Sequence, residues 1–337
     1  MKQIVFEAPH RIAVQDMKPP KRGKGEALVR IDYVGICGSD LHTYRGKNPY
    51  VEMPRVPGHE LCGEIAEIEK NDRHLGVGDT VVVEPLIRCG TCYPCSLGRY
   101  NCCENLKVVG VHVDGGMAGM IALPVELLHK LPPNVDPSLG PLVETLSIGH
   151  QACNRGRVDA GDRVAVIGAG PIGLCAAMVS KDRTAEVAVV DMVESRLALA
   201  QDLGIDHQIN AGEEDVPGRI TDAFGGKPPT VVIEAVGRSV TLEMSVDLVS
   251  PAGRVVVVGL TAEPSRIRAD VLIKKELDVV ASRNSCGIFP DAIHFLAGHQ
   301  KEAEKLVTHR FRLDEIEKAM GLLDKKPWEA IKIILAT

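Results

Sequence analysis

Residues 161–181 read GDRVAVIGAGPIGLCAAMVSK, and how this stretch is read decides the fold. VAVI, residues 164–167, has the apolar run of a strand buried on both faces, and GLCAAMVSK has the composition of a helix. Between them Gly168, Gly170 and Gly173 space out G-x-G-x-x-G. The pattern is weak alone, but a strand before it and a helix after it are the context it requires. The first glycine permits the tight turn and the second lets backbone approach a pyrophosphate. The third lets helix and strand pack closely, while the helix N-terminus presents free N–H groups and a favourable dipole. An acidic side chain is expected about 20 residues further on, against the adenosine ribose. Asp191 closes AEVAVVD there. A carboxylate at that point accepts from the ribose hydroxyls and repels a 2′-phosphate, so NAD is expected rather than NADP. Pro171, Ile172, Arg196, Val236 and Gly259 join these as candidate cofactor contacts.

Outward from this stretch toward the C-terminus the same alternation repeats. ESRLALAQDLG is followed by TVVIEAVG, SVTLEMSVDLV, GRVVVVGL and, later, LDVVAS. Strands alternating with helices of about ten residues imply βαβ units on a parallel sheet. Toward the N-terminus the segments are short, alternating and broken by Gly and Pro, as in MKQIVFEAPHRIAVQD, EALVRIDYVG, ELCGEIAEIEK and GDTVVVEP. They predict a mostly β domain. After about residue 285 come FPDAIHFLAGHQ, LVTHRF, a helix from Asp314 and a final strand KIILAT. Those are too few strands to fold alone, so the tail is expected to return to the first domain. The expected architecture is a doubly wound Rossmann sheet over 144–285, inserted in a mostly β domain formed by 1–143 and 286–337.

Composition excludes several classes. A net charge of −6 lacks the basic face that a nucleic-acid partner needs. No apolar run approaches a membrane span, and the N-terminus lacks the apolar stretch of a signal peptide. A cytoplasmic location follows as an expectation, and with it reduced thiols in place of structural disulfides.

That bears on residues 89–103, CGTCYPCSLGRYNCC, which hold five of the ten cysteines. Cys89, Cys92, Cys95 and Cys103 are spaced C-x2-C-x2-C-x7-C, which suits a closed tetrahedral zinc with no open position; such a site is structural. Cys102 is left over. A nucleic-acid zinc ribbon would bring a basic helix, and an iron–sulfur site longer-range partners. The lobe is therefore not an open metal site. GICGSDLH offers Cys37, and PRVPGHELCGE offers His59 and Glu60, all in glycine-punctuated turns.

Taken together, GHE with Gly63 three residues after Glu60, the four-cysteine lobe, GICGSDLH, VGDTVVVEP and GAGPIG make the chain resemble the zinc-dependent medium-chain alcohol dehydrogenases over essentially its whole length. The resemblance implies that the first domain is GroES-like and that the chain takes one catalytic and one structural zinc. It implies Cys37 and His59 as catalytic-zinc ligands, with Asp40 orienting His59. Where the alcohol-metabolising branch has a further cysteine ligand, this chain has Glu144 in PLVETLSIGHQAC, as the sorbitol and threonine dehydrogenase branch does. Glu60 and Glu144 are both candidate ligands. Ser39 and His42 occupy the places of a proton relay leading from the alcohol, past the nicotinamide ribose, to solvent. A zinc-free quinone reductase would lack Cys37, His59 and the lobe, and a non-catalytic sensor on the same fold should have lost a ligand or Ser39.

Arg283 and Asn284, in ASRNS, stand where sorbitol-dehydrogenase-like enzymes contact substrate, and Arg45, in TYRGKNPY, is a competing anchor. CGSDLHTYRGKNPY, VVGVHVDGGMA, SRN and LVTHRF resemble the bacterial L-gulonate and L-galactonate 5-dehydrogenases. The expected substrate is a small sugar acid, with a polyol as runner-up and threonine third. A homodimer or homotetramer is expected.

Overall fold

The computed structural model describes residues 1–212 and 215–337. The chain forms two compact units, Met1–Glu144 with Phe289–Thr337, and Thr145–Ile288. Among the described residues no helix is long and apolar enough to cross a membrane.

The first unit is built on a mixed sheet. Its order is Val307–Arg312, Lys332–Ala336, Glu26–Ile36, Glu60–Glu67, Thr80–Val83 and Leu128–Lys130, with Met120–Pro124 also pairing Glu26–Ile36. The long strand Glu26–Ile36 is the hub, since three others pair with it antiparallel. Its apolar residues Leu28, Val29, Ile31 and Val34 are buried with Leu61, Ile65, Val81, Ile333 and Leu335 from its neighbours. Lys332–Ala336 pairs antiparallel with Glu26–Ile36 and parallel with Val307–Arg312, so the last strand fills an interior place in the sheet. The N-terminal alternation is a hairpin, Lys2–Ala8 against Arg11–Asp16. The Met1–Glu144 part of this unit is not wholly β, because helix Gly38–Tyr44 begins directly after the hub strand.

The second unit is a six-stranded parallel sheet. In space its strands run His207–Asn210, Glu186–Asp191, Arg163–Ile167, Val231–Glu234, Arg254–Val257 and Asp278–Ala281. Counted in chain order within the sheet this is 3-2-1-4-5-6, the order of a dinucleotide-binding double winding. Val164–Val166, Val187–Val189 and Val231–Ile233 are fully buried, which explains why they read as continuous apolar runs rather than alternating ones. His207–Asn210 escapes a hydrophobic reading because HQIN is an edge strand with one buried residue, Ile209.

Candidate active site and nucleotide site

Hub strand Glu26–Ile36 ends at Cys37, which starts helix Gly38–Tyr44 as its N-cap. Asp40, at the third helical position and 2% exposed, accepts from Cys37 N–H through Oδ2 at 2.9 Å. Its other oxygen lies 3.9 Å from His59 Nδ1. That nitrogen is buried and has no hydrogen-bond partner. His59 immediately precedes strand Glu60–Glu67, whose pairing brings Glu60 opposite Gly35. The opposition requires glycine, for a Cβ on Gly35 would lie 2.0 Å from Glu60 Oε2. Ligand atoms of Cys37, His59 and Glu60 fall within 4.8 Å of one another. A thiol, an imidazole and a carboxylate at this separation are a donor set for zinc, and an imidazole nitrogen facing a carboxylate is how a ligating histidine is oriented.

Charge is concentrated at this spot. Burial alone would lower the pKa of His59, but Asp40, Cys37 and Glu144 outweigh it and raise the pKa well above the ordinary value. Glu144, in the first turn of helix Leu142–Arg155, is pushed up to about 7 by desolvation, with Glu60 and Asp40 adding to the rise against His59 and Lys332. Asp40 is likewise raised, chiefly by its burial. Asp40, Glu60 and Glu144 gather beside the Cys37 thiol and the His59 imidazole, a donor set that a divalent cation would neutralise, so the residues present fit the metal.

One participant escaped the sequence reading. Lys332 opens the last strand, 2% exposed, and its Nζ donates to both oxygens of Glu60 at 2.6 and 2.8 Å. The signal was a lysine heading an otherwise apolar strand, KIILA, with an interior place in the sheet. Burial opposes its charge, yet Glu60, Cys37 and Glu144 hold its pKa above the usual lysine value.

Ser39 and His42 share the short helix with Asp40; Ser39 is partly buried and His42 exposed. Arg45, offered as a substrate anchor, is turned elsewhere: its Nε donates to Asp324 Oδ1 at 2.6 Å and its Nη2 to the Asp324 carbonyl at 3.0 Å. Both bonds go to the one residue, Asp324. Arg283 is exposed in the turn after strand Asp278–Ala281, and Asn284 beside it has a left-handed φ of +46°.

Cys89, Cys92, Cys95 and Cys103 form the second cluster, from which Cys102 is absent. Cys103 Sγ lies 3.5 Å from Cys89 Sγ and 3.7 Å from Cys92 Sγ. These spacings are too long for a disulfide. They match the edge of a tetrahedron with Zn–S bonds of about 2.3 Å, which is about 3.8 Å. Backbone N–H groups of Thr91 and Cys92 pull the Cys89 thiol down to about 5, while burial pushes Cys95 up to about 12. The lobe is anchored from outside by Glu84, which accepts from the Tyr100 hydroxyl at 2.5 Å and also meets His129 Nε2 at 3.0 Å.

In the second unit the glycine turn follows strand Arg163–Ile167, and Gly170 caps helix Pro171–Asp182 with Pro171 in its first turn. A Cβ on Gly173 would lie 1.8 Å from the Gly168 carbonyl oxygen, so helix and turn are in direct backbone contact. A Cβ on Gly170 would meet nothing of the protein within 4 Å. That open space over a helix N-terminus is where a pyrophosphate fits. Asp191 does more than wait for a ribose. Its carboxylate accepts from Ala169 N–H at 2.8 Å and Val193 N–H at 2.9 Å, tying the end of one strand to the glycine turn of the next. Arg196 Nη1 lies 3.6 Å from it. Ile172 is partly buried behind Pro171, and Val236 and Gly259 sit on the loops after the fourth and fifth strands.

Residues 23–133 match the alcohol dehydrogenase GroES-like domain family and residues 171–298 the zinc-binding dehydrogenase family. The chain is 35% identical to L-galactonate-5-dehydrogenase of Escherichia coli (strain K12), with 92% of each chain covered. It is also 35% identical to a sorbitol dehydrogenase of Halalkalibacterium halodurans, over 96% of this chain and 95% of that one. Among solved structures it is similar to a short chain alcohol dehydrogenase (rspB) from E. coli CFT073 complexed with cofactor NADH, at TM-score 0.92 and 35% identity, covering 100% of this chain and 99% of that one. The chain belongs to the zinc-binding alcohol dehydrogenases, in their sorbitol-dehydrogenase-like branch.

Proposed function

We propose that this oxidoreductase takes hydride from a secondary hydroxyl of a sugar acid, of the L-gulonate or L-galactonate type at C5, and delivers it to NAD. The observation that carries the zinc chemistry is the convergence of Cys37, His59 and Glu60 ligand atoms within 4.8 Å. When bound there, zinc supplies a Lewis acid that makes an alcohol proton easy to remove, and NAD supplies the hydride acceptor. Cys37 and His59 hold the metal, and either Glu60 or Glu144 completes the set. Asp40 fixes the tautomer of His59 by keeping its Nδ1 side protonated. Ser39 takes the departing proton and His42, exposed on the next turn, releases it to water. Cys89, Cys92, Cys95 and Cys103 hold the second, structural zinc. Asp191, at the end of its strand, favours NAD over NADP.

Substrate class rests on the quoted segments and on Arg283, whose planar cation can hold a carboxylate bidentately. A polyol is the second reading. It is favoured by the engagement of Arg45, one of the two candidate carboxylate anchors, with Asp324. A homodimer or homotetramer suits the exposed edge strand Asp278–Ala281 and the exposed apolar side chains Leu260 and Ile273, 88% and 80% exposed, in the same unit.

The test is a screen of hexonates, matching polyols and threonine with NAD and with NADP, following NADH or NADPH absorbance. A hexonate should have the highest kcat/KM, and NAD should exceed NADP by about tenfold or more. Polyols turning over as well as the best hexonate would replace the sugar-acid reading with the polyol one. No turnover with any alcohol would overturn both.

A further inference from the structure

Glu234 ends the fourth strand of the nucleotide sheet and is 1% exposed, and it does not belong to the metal or relay groups. Its Oε1 accepts from Val236 N–H at 3.0 Å, Gly237 N–H at 2.9 Å and the Thr241 hydroxyl at 2.8 Å. Its backbone carbonyl accepts from Val258 N–H at 2.9 Å and Gly259 N–H at 3.0 Å. One residue therefore binds the loops that follow both the fourth and the fifth strands. The loops meet with no room between them: a Cβ on Gly259 would lie 2.1 Å from Gly237 N and 2.8 Å from Glu234 Oε2. The first loop also reaches the glycine turn, since a Cβ on Gly168 would lie 2.9 Å from Val236 Cγ2.

Placement gives this knot its meaning. Ligands of doubly wound sheets collect beyond the carboxyl ends of the strands, and each half of the sheet takes one mononucleotide. Glu234 stands at that end of the first strand of the second half. A buried carboxylate accepting several N–H and O–H donors is an expensive group to keep unless the geometry it fixes matters. We infer that Glu234 is a positioning residue for the nicotinamide half of the cofactor. Its side chain holds the Val236–Gly237 backbone, against which Gly259 packs, in its binding shape before the cofactor arrives. The inference rests on the proposed use of a nicotinamide dinucleotide.

The test compares NADH with ADP, which carries only the half bound by the glycine turn. Dissociation constants are measured by fluorescence and calorimetry on the full-length parent, Glu234→Gln and Glu234→Ala. Loss of the charge-assisted bonds in Glu234→Ala should weaken NADH about thirtyfold, and Glu234→Gln, which keeps an acceptor oxygen, should lose about fivefold. ADP affinity should stay within about twofold of the parent in both. A merely structural defect would weaken NADH and ADP together, and that parallel loss would overturn the inference, as would NADH affinity unchanged in both variants. If Glu234→Ala does not fold, the NADH-to-ADP ratio of Glu234→Gln decides alone. A parent that binds no NADH would instead sink the dinucleotide reading, and this inference with it.

Discussion

Lys332 and Glu60 form the most consequential residue pair in the first unit. Both side chains are almost wholly buried and the bonds are bidentate at 2.6 and 2.8 Å. Breaking such a pair from one side leaves a charge without a partner in low dielectric and costs about 3–5 kcal/mol, whereas removing both partners costs far less. Lys332→Met should therefore lower unfolding stability by about 3 kcal/mol in denaturant titration. Lys332→Met combined with Glu60→Gln should recover most of that loss. Additive losses would show that the two side chains do not act as a pair. Cys37, His59 and Asp40 could be named beforehand because GICGSDLH and GHE resemble motifs of the zinc-dependent alcohol dehydrogenases. Lys332 could not, because its partner is 272 positions away and only strand pairing brings the two together. Arg45 shows the converse. Its position near the relay histidine suggested a substrate anchor, and a helix from the far end of the chain supplied Asp324 to occupy it.

At the level of elements, the two metal groups are held in different ways and should fail in different ways. Cys37 caps a helix whose start is also fixed by the Asp40 bond and by the hub strand behind it. The lobe has a small core: among the described residues Leu86, Cys103 and Leu106 form its buried cluster, with Tyr100, Val108 and two of the cysteines against it. A metal that supplements a small core contributes directly to folding. Cys37→Ser should abolish turnover, drop zinc from two per chain to one by elemental analysis, and leave the melting temperature within about 3 °C of the parent. Cys92→Ser should also lose one zinc, but with a melting temperature lower by roughly 5 °C or more. A Cys92→Ser protein as stable as the parent and inactive would exchange the two roles.

For the whole molecule, the order of strands matters more than their number. The final strand Lys332–Ala336 lies between Val307–Arg312 and the hub Glu26–Ile36, so both of its neighbours depend on it. Ile333 and Ile334 are 1% exposed and Leu335 fully buried. Burying such side chains stabilises by about 1.5–3 kcal/mol each, and total stability is about 5–15 kcal/mol. Removing residues 332–337 should therefore unfold the first unit, seen as loss of soluble expression and of slow amide exchange in Glu26–Ile36. A truncated chain that keeps protection in that strand would show that the sheet closes without its tail.

The glycine turn, the apolar βαβ rhythm, the four-cysteine lobe and the metal-ligand candidates were determined by sequence alone. The turn and the lobe are local, depending on residues a few positions apart, whereas the catalytic-metal candidates are spread over positions 37–144 and were named through their motifs' resemblance to the family's. Only the tertiary structure decided which charges meet. It set Lys332 on Glu60 and Asp324 on Arg45, turned Asp191 back onto Ala169, and closed two loops over Glu234. It also decided where KIILAT goes, because an apolar strand carries no mark of its neighbours; hydrogen-bond pairing and burial choose them, and both exist only once the chain has closed.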